Sequence, residues 1–492
     1  MNDCTFLYLY LLFFCLACHS PAKKERSQAP NIVFILADDL GWADLGVYGN
    51  SYNETPHLNK LAAEGMRFTQ AYAAAPVCSP TRASIQSGQY PAHMGITDFI
   101  PGHWRPYESH RVPINRTQYL PEEIVSLGEA LQTGGYKTAY FGKWHLGWAD
   151  KHMPGNQGYE DWRIQQGGSF YNLKRKKAIR PMDSSLNDEV RLSEVLTDYS
   201  LDFIERNKDE PFFLFLSHYD VHVQLDADIE LIEKYLDKEK VADYPCNAVY
   251  AAMLEHIDRS LGRVVDKLDE LGLSEHTLLL FFSDNGGLKS RFDKIPLLAQ
   301  SKLSLYEDSE LQYIATSNAP LRAEKGTLYE GGIREPLLVK WPGKIKAGSH
   351  SDALVSSVDF FPSFLEVAGI TKLKTQELDG ESILPVLLGK EKPASRSLYW
   401  HYPVYHHDLP AGAIRKGKWK LIEIFTENRF ELYDLEKDVS ESKDLASTHP
   451  ELVKELADEL AKWRKSVGAE LPIQNPDFDP ARRQEWGKHP IR

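Results

Sequence analysis

Positive charge is in deficit in this sequence: 57 Lys and Arg stand against 70 Asp and Glu, a formal net charge of −13. Such a chain lacks the basic face on which nucleic-acid binders rely, and that class is set aside. The deficit does not exclude an anionic substrate, because a few pocket cations act locally while distant surface charge is screened. Cysteine is scarce as well, five in 492 residues, which argues against a disulfide framework. The apolar run from Thr5 to Ala17 is too short to span a bilayer comfortably. Internal repeats and low-complexity tracts are absent. What is present, 42% hydrophobic residues, is enough to bury a core spread over one large domain and a smaller one.

The Thr5–Ala17 run sits where a signal peptide stands, although no Lys or Arg precedes it. It ends in Leu16-Ala17-Cys18, which resembles a bacterial lipobox and predicts lipid attachment at Cys18, with residues 1–18 as the signal and 19–29 as a polar tether. Cys15 departs from the Leu usual in that motif, so plain secretion is the alternative. The expected location is the periplasm, the outer membrane or the cell surface. Cys4 and Cys15 leave with the signal, and Cys246 is expected to be a buried structural thiol.

The rest of the chain alternates. Asn31 to Ala37 is a continuous apolar run ending in Asp38-Asp39, two carboxylates that are costly at the end of a buried strand unless paired or bound to a cation. Thr55-Pro56 predicts a helix start with Thr55 as its cap, and Glu122 to Leu131 the next helix. Strands over 137–141, 211–216 and 277–282 deliver Lys143 and His145, then His218 and His222, then Asp284 and Asn285. After Ser283 a long polar segment reaches Lys325-Gly326-Thr327, its length that of a site-lining loop. The pattern predicts an α/β fold: a large, mainly parallel sheet flanked by helices on both faces over 30–390. Ligands bind beyond the carboxyl ends of such strands. From 391 to 470 short strands and one helix predict a smaller antiparallel sheet, and 471–492 an extended tail.

One stretch binds these features together. In Cys78-Ser79-Pro80-Thr81-Arg82, Pro80 suits the first turn of a helix starting near Thr81, which places Cys78 just before a helix N-terminus that favours negative charge. The pattern C-x-P-x-R resembles the signature of the type I, formylglycine-dependent sulfatases of the alkaline phosphatase superfamily, and the arylsulfatase A-like branch in particular. The resemblance covers Pro30 to about Trp463.

That resemblance implies the chemistry. Cys78 becomes Cα-formylglycine, made by a formylglycine-generating or anaerobic maturase enzyme, and its hydrate is the nucleophile. Asp38, Asp39, Asp284 and Asn285, with residue 78, match the calcium site, hard oxygen donors as calcium requires. Arg82, Lys143 and Lys325 match the cations that hold sulfate oxygens, His145 the base that takes a proton from the hydrate, and His222 the acid that protonates the leaving alcohol. Both imidazoles are expected near neutral pKa. His218 is read as a supporting or core histidine. The expected substrate is a sulfated carbohydrate, a polysaccharide or glycosaminoglycan, with a lean to 4-sulfated galactose or N-acetylgalactosamine. A phosphonate or phosphate monoester hydrolase of the same superfamily is the alternative, and an inactive glycan-binding lipoprotein the alternative from another class. Residues 101–105, Trp400-His401-Tyr402 and Tyr405-His406-His407 could stack on a sugar or pack the domains together.

Overall fold

A computed structural model describes residues 29–165, 179–181, 190–291, 293–371, 376–390 and 396–490. The expected signal peptide, Cys18 and all but the last residue of the tether lie outside the described residues. Among the described helices none is long and apolar enough to cross a membrane.

Among the described residues the large sheet has ten strands, and four adjacent ones at its centre run parallel: Thr277–Ser283, Asn31–Ala37, Phe212–Ser217 and Lys137–Gly142. Their apolar residues alternate between two cores. Val33, Ile35 and Ala37 pack with the helices Leu192–Arg206 and Ala248–Glu270, whereas Ile32, Phe34 and Leu36 pack on the other face with Phe360, Phe361 and Phe364. The period-2 alternation of a strand thus fills both faces, which is why these runs read as continuously apolar.

The sheet is more mixed than the sequence suggested. Arg334–Lys340 runs antiparallel to both Thr277–Ser283 and Met66–Tyr72. Its start, not its end, therefore reaches the edge where the central strands finish, and Lys325 arrives from that side. Met66–Tyr72, with polar residues at alternate positions, lacks the apolar run that marked the other strands.

Three local expectations are corrected. The helix after the 98–119 loop runs Leu127–Thr133 and not from Glu122, because Ser126 and Glu129 form a capping box: Glu129 N donates to Ser126 Oγ (3.1 Å) and Ser126 N to the Glu129 carboxylate (2.8 Å). Thr55 precedes the helix Pro56–Glu64 without capping it; its hydroxyl accepts from Gly46 N at 3.0 Å instead. Cys78 is the first residue of its helix, Cys78–Ser87, with Val77 at the cap position.

The second sheet is a four-stranded antiparallel meander, Ser397–Tyr402, Ala411–Lys416, Trp419–Ile424 and Arg429–Asp434. One face carries the helix Pro450–Ser466 through Leu456 and Leu460. The other packs Trp400, Tyr402 and Ile422 on Tyr72, Val77 and Ile333 of the main domain. Between them lies a buried ion cluster in which Lys420 Nζ is 2.9 Å from both Glu330 and Glu441 carboxylate oxygens. The tail is not extended. Ile473–Gln474 pairs with His110–Arg111, Asn475 Nδ2 donates to the Pro106 and Glu108 carbonyls at 2.8 and 2.7 Å, and Gly487 N donates to Trp104 O at 2.9 Å. The tail returns to the mouth of the main domain because the loop 98–119 offers it unpaired backbone.

Candidate active site

Each central strand ends in polar residues at the same edge: Asp38-Asp39, Lys143, His218 and Asp284-Asn285. Asp39 and His145 hold left-handed backbone, φ 61° and 57°, which turns the chain sharply just past the sheet. Non-glycine residues in that region cluster at functional sites.

Cys78, buried and not in a disulfide, is the centre of the group. Lys143 Nζ lies 3.3 Å and Lys325 Nζ 3.6 Å from its sulfur. Each ammonium is in turn fixed by a carboxylate: Lys143 by Asp38 Oδ2 at 2.6 Å, Lys325 by both oxygens of Asp39 at 2.6 and 2.7 Å. Burial pushes the Cys78 thiol up to about 12 although both lysines pull the other way. At neutral pH this sulfur is a protonated thiol and a poor nucleophile.

Arg82 is placed differently from the expectation that it meets the substrate. Its guanidinium is fully enclosed behind Cys78, where Nε and Nη2 reach Asp284 Oδ2 at 2.8 and 2.7 Å and Nη1 donates to Lys143 O and Ser217 Oγ at 2.7 and 2.6 Å. One rotation of the signature helix carries Arg82 beneath the sulfur rather than beside it. Its charge holds Asp284 and the backbone of Lys143 in place.

His145 and His222 both line a cavity of about 440 Å³ that opens above Cys78 and Lys325. His145 Nε2 lies 2.8 Å from the Ile100 carbonyl, so Nε2 carries the proton and the buried, unpartnered Nδ1 presents a lone pair. Ser79 holds this arrangement, donating to His145 O (2.9 Å) while accepting from Ile100 N (3.0 Å). His222 Nδ1 lies 2.5 Å from Val223 O, and its Nε2 is 3.6 Å from Asp39 Oδ2. The expectation of near-neutral imidazoles is not met. Burial, with the lysine charges added, pushes His145 well below the usual histidine range and His222 down to about 3. His218, fully buried and 3.0 Å from Ser260 Oγ, takes no part in the cavity.

Residues 30–370 match the family model described as Sulfatase. The chain belongs to the sulfatase family. A second model, described as N-sulphoglucosamine sulphohydrolase, C-terminal, matches residues 323–466 of this sulfatase. A sulfatase of Formosa agariphila is 30% identical, with 92% of both chains covered. Human N-acetylgalactosamine-6-sulfatase is 32% identical over 73% of this chain and 66% of its own length. Among solved structures, Ps i-CgsB in complex with k-i-k-neocarrahexaose superposes with a TM-score of 0.73 at 26% identity, covering 92% of this chain and 94% of that one. This sulfatase is a sulfuric ester hydrolase.

The oxygen donors of the sulfatase site suit a hard divalent cation. The carboxylates of Asp38, Asp39 and Asp284 converge with Asn285, whose Oδ1 is buried with no hydrogen-bond partner while its Nδ2 donates to Asp39 Oδ1 at 2.8 Å. An orphaned buried carbonyl oxygen beside three carboxylates fits a cation better than it fits an apolar wall. Ligand atoms of Asp38, Asp39, Cys78 and His222 also fall within 4.8 Å of one another.

Some of the cavity wall was missed in the sequence. Trp486 of the tail, Phe99, Leu288 and the ion pair Arg291–Asp293 line it, joined by His103, His406 and His407. Of the aromatic runs singled out, His103 and His406 sit ring to ring at 4.0 Å in the wall, whereas Trp400 is buried against Ala73 O and His401 against Glu470 O. His103 and His406 thus face the cavity, while Trp400 and His401 pack inside the protein.

Proposed function

We propose that this sulfatase removes sulfate from galactose or N-acetylgalactosamine units of an extracellular polysaccharide, with Cys78 in its oxidised formylglycine form and one calcium ion. The observation that carries this reading is the setting of the Cys78 sulfur, 3.3 and 3.6 Å from two ammonium groups that carboxylates hold in place. A thiol raised to about 12 does little there unless it is converted. The three carboxylates Asp38, Asp39 and Asp284 balance the three cations Arg82, Lys143 and Lys325, so a divalent cation would leave the site positive, as an anionic ester requires. Asp38, Asp39, Asp284 and Asn285, with residue 78, would hold calcium, which would supply fixed positive charge for the sulfuryl oxygens.

The chain's own groups divide the remaining work. Lys143 and Lys325 orient the sulfuryl oxygens beside residue 78, and Arg82 keeps Asp284 in position from behind. His145 Nδ1, a lone pair with no partner, takes a proton from the group at residue 78. His222, whose Nδ1 is tied to Val223 O, faces the site through Nε2 and is the group placed to give a proton to the leaving oxygen. The galactose-type substrate is supported by human N-acetylgalactosamine-6-sulfatase and by the neocarrahexaose complex of Ps i-CgsB. Export through residues 1–18, lipidation at Cys18 and a maturase for Cys78 belong to the same proposal.

The test is sulfate release by protein co-expressed with a formylglycine-generating enzyme, on a small aryl sulfate and on 4- and 6-sulfated galactose and N-acetylgalactosamine. Mass spectrometry of the Cys78 peptide reads conversion directly, because the aldehyde is lighter than the thiol. Release that Cys78→Ala abolishes supports the reading, and the preferred sugar fixes the position. No release from any of them, with conversion complete and calcium bound, overturns it.

A further inference from the structure

A second cavity of about 550 Å³ lies beside the first, and the two share His406, His407, Trp486 and Asp293 in their walls. The cleft is therefore longer than one sugar ring needs. Its outer half is built by three segments distant in sequence: Arg105 and Glu108 from the loop 98–119, Tyr405 to Leu409 after the first strand of the small sheet, and Arg483 with Gln484 from the tail. The tail's backbone bonds to Trp104, Tyr107 and Ser109 tie it to the loop, and His110 N of that loop donates to Tyr405 Oη at 3.3 Å.

The charge of this outer half differs from that of the inner one. Arg105 and Arg483 both turn to Glu108, at 3.4 and 3.5 Å, and Arg291 holds Asp293. Three carboxylates, Glu108, Asp293 and Asp408, thus stand against the two arginines lining it. An added sulfate would meet a wall with no surplus of positive charge. A neutral ring would meet the carboxylates of Asp293 and Asp408 as acceptors for its hydroxyls and the partly exposed Trp486, over one face of which the Arg105 guanidinium lies at 4.2 Å.

We propose that this outer cleft is a second sugar site, which holds an unsulfated hexose unit next to the ring that loses its sulfate. The inference rests on the glycan reading of the active site. It makes the enzyme one that selects a sulfated sugar by its unsulfated neighbour, through residues the reaction itself does not use.

The experiment compares galactobiose sulfated only on the ring to be hydrolysed with the sulfated monosaccharide and with galactobiose sulfated on both rings. Wild type is expected to favour the singly sulfated disaccharide by kcat/KM over both others. In Arg483→Ala and in Gln484→Trp, which removes a polar wall group and fills the cleft respectively, the disaccharide-to-monosaccharide ratio is expected to fall about tenfold. A ratio within about twofold of wild type in both variants overturns the second site. A preference for the doubly sulfated disaccharide overturns the neutral neighbour. Binding of unsulfated galactobiose, followed by saturation-transfer NMR and weakened in both variants, keeps the test separate from catalysis: if no sulfated sugar is hydrolysed but this binding is seen, the active-site reading fails and the second site stands, whereas its absence in wild type sinks the second site.

Discussion

The floor of the cleft and its rim are built by opposite means. The floor is a set of charges gathered where neighbouring strands end, each locked by an opposite charge at 2.6 to 2.8 Å: Lys143 on Asp38, Lys325 on Asp39, Arg82 on Asp284. The rim is a set of rings and exposed charges on loops and the tail, from Phe99 and His103 to His406 and Trp486. A floor made of ends of a rigid sheet can hold reacting groups within the tolerance that catalysis needs. A rim on loops is free to vary with the glycan. The difference separates what sulfate hydrolysis demands from what the sugar demands, and substitutions in the two regions should separate in the same way.

The largest effect is expected at the floor. Lys325→Ala removes one of the two ammoniums beside residue 78 and leaves Asp39 without its partner, so kcat on a small aryl sulfate and on a glycan should both fall by about 10²–10³. A loss confined to the glycan would erase the distinction between floor and rim. Next comes the joint between the domains. Lys420→Ala removes the cation shared by Glu330 and Glu441 in a buried interface and leaves Glu330 with only Arg334 and Arg415 near it, with an expected loss of about 3 kcal/mol in stability measured by denaturant unfolding.

A smaller effect follows from pH. Burial pushes His401 down to about 4 in the fold, against about 6.5 for a free imidazole. A depressed pKa means the unfolded chain takes up the proton first, so the stability is present in full above about pH 6.5 and is lost as pH falls toward 4. By linkage this amounts to about 2 kcal/mol at pH 5. The drop in melting temperature from pH 7 to pH 5 should be smaller in His401→Gln, and an unchanged drop would assign it elsewhere. The smallest change is expected at the tail. Asn475→Ala removes two hydrogen bonds to the loop 98–119, about 1 kcal/mol each. Amide exchange at Asn475, Asp479 and Gly487 should rise while turnover of a small aryl sulfate stays within about twofold.

How much of this was legible differs by region for a physical reason. Asp38, Asp39, Lys143, Asp284 and Asn285 each stand just past the end of an apolar strand, Cys78 and Arg82 lie inside the signature, and a parallel sheet sends such strand ends to one edge; Lys325 comes instead from the long segment before an antiparallel strand. The pairing Lys143–Asp38 or Lys325–Asp39 could be inferred only as a convergence. The contacts of Arg82 with Asp284, Lys143 O and Ser217 were not legible, because they join segments far apart in the chain. The imidazoles were misjudged because a histidine's pKa follows burial depth, which no spacing reveals.

The sequence by itself determined the alternation of strands and helices, the edge at which ligands meet the sheet, and the residues that gather around Cys78. Local runs and short motifs encode these, since hydrophobic period and turn chemistry act over a few residues. Only the tertiary structure decided that Arg334–Lys340 runs antiparallel and brings Lys325 in from the far side, that the tail folds back to place Trp486 in the cleft, and that His406 joins the wall while His401 does not. Those outcomes depend on contacts between segments far apart in the chain, such as Asn475 with Pro106, 369 residues away, and Lys420 with Glu330, 90 away. The free energy of such contacts comes from burial and pairing that exist only once both segments are in place.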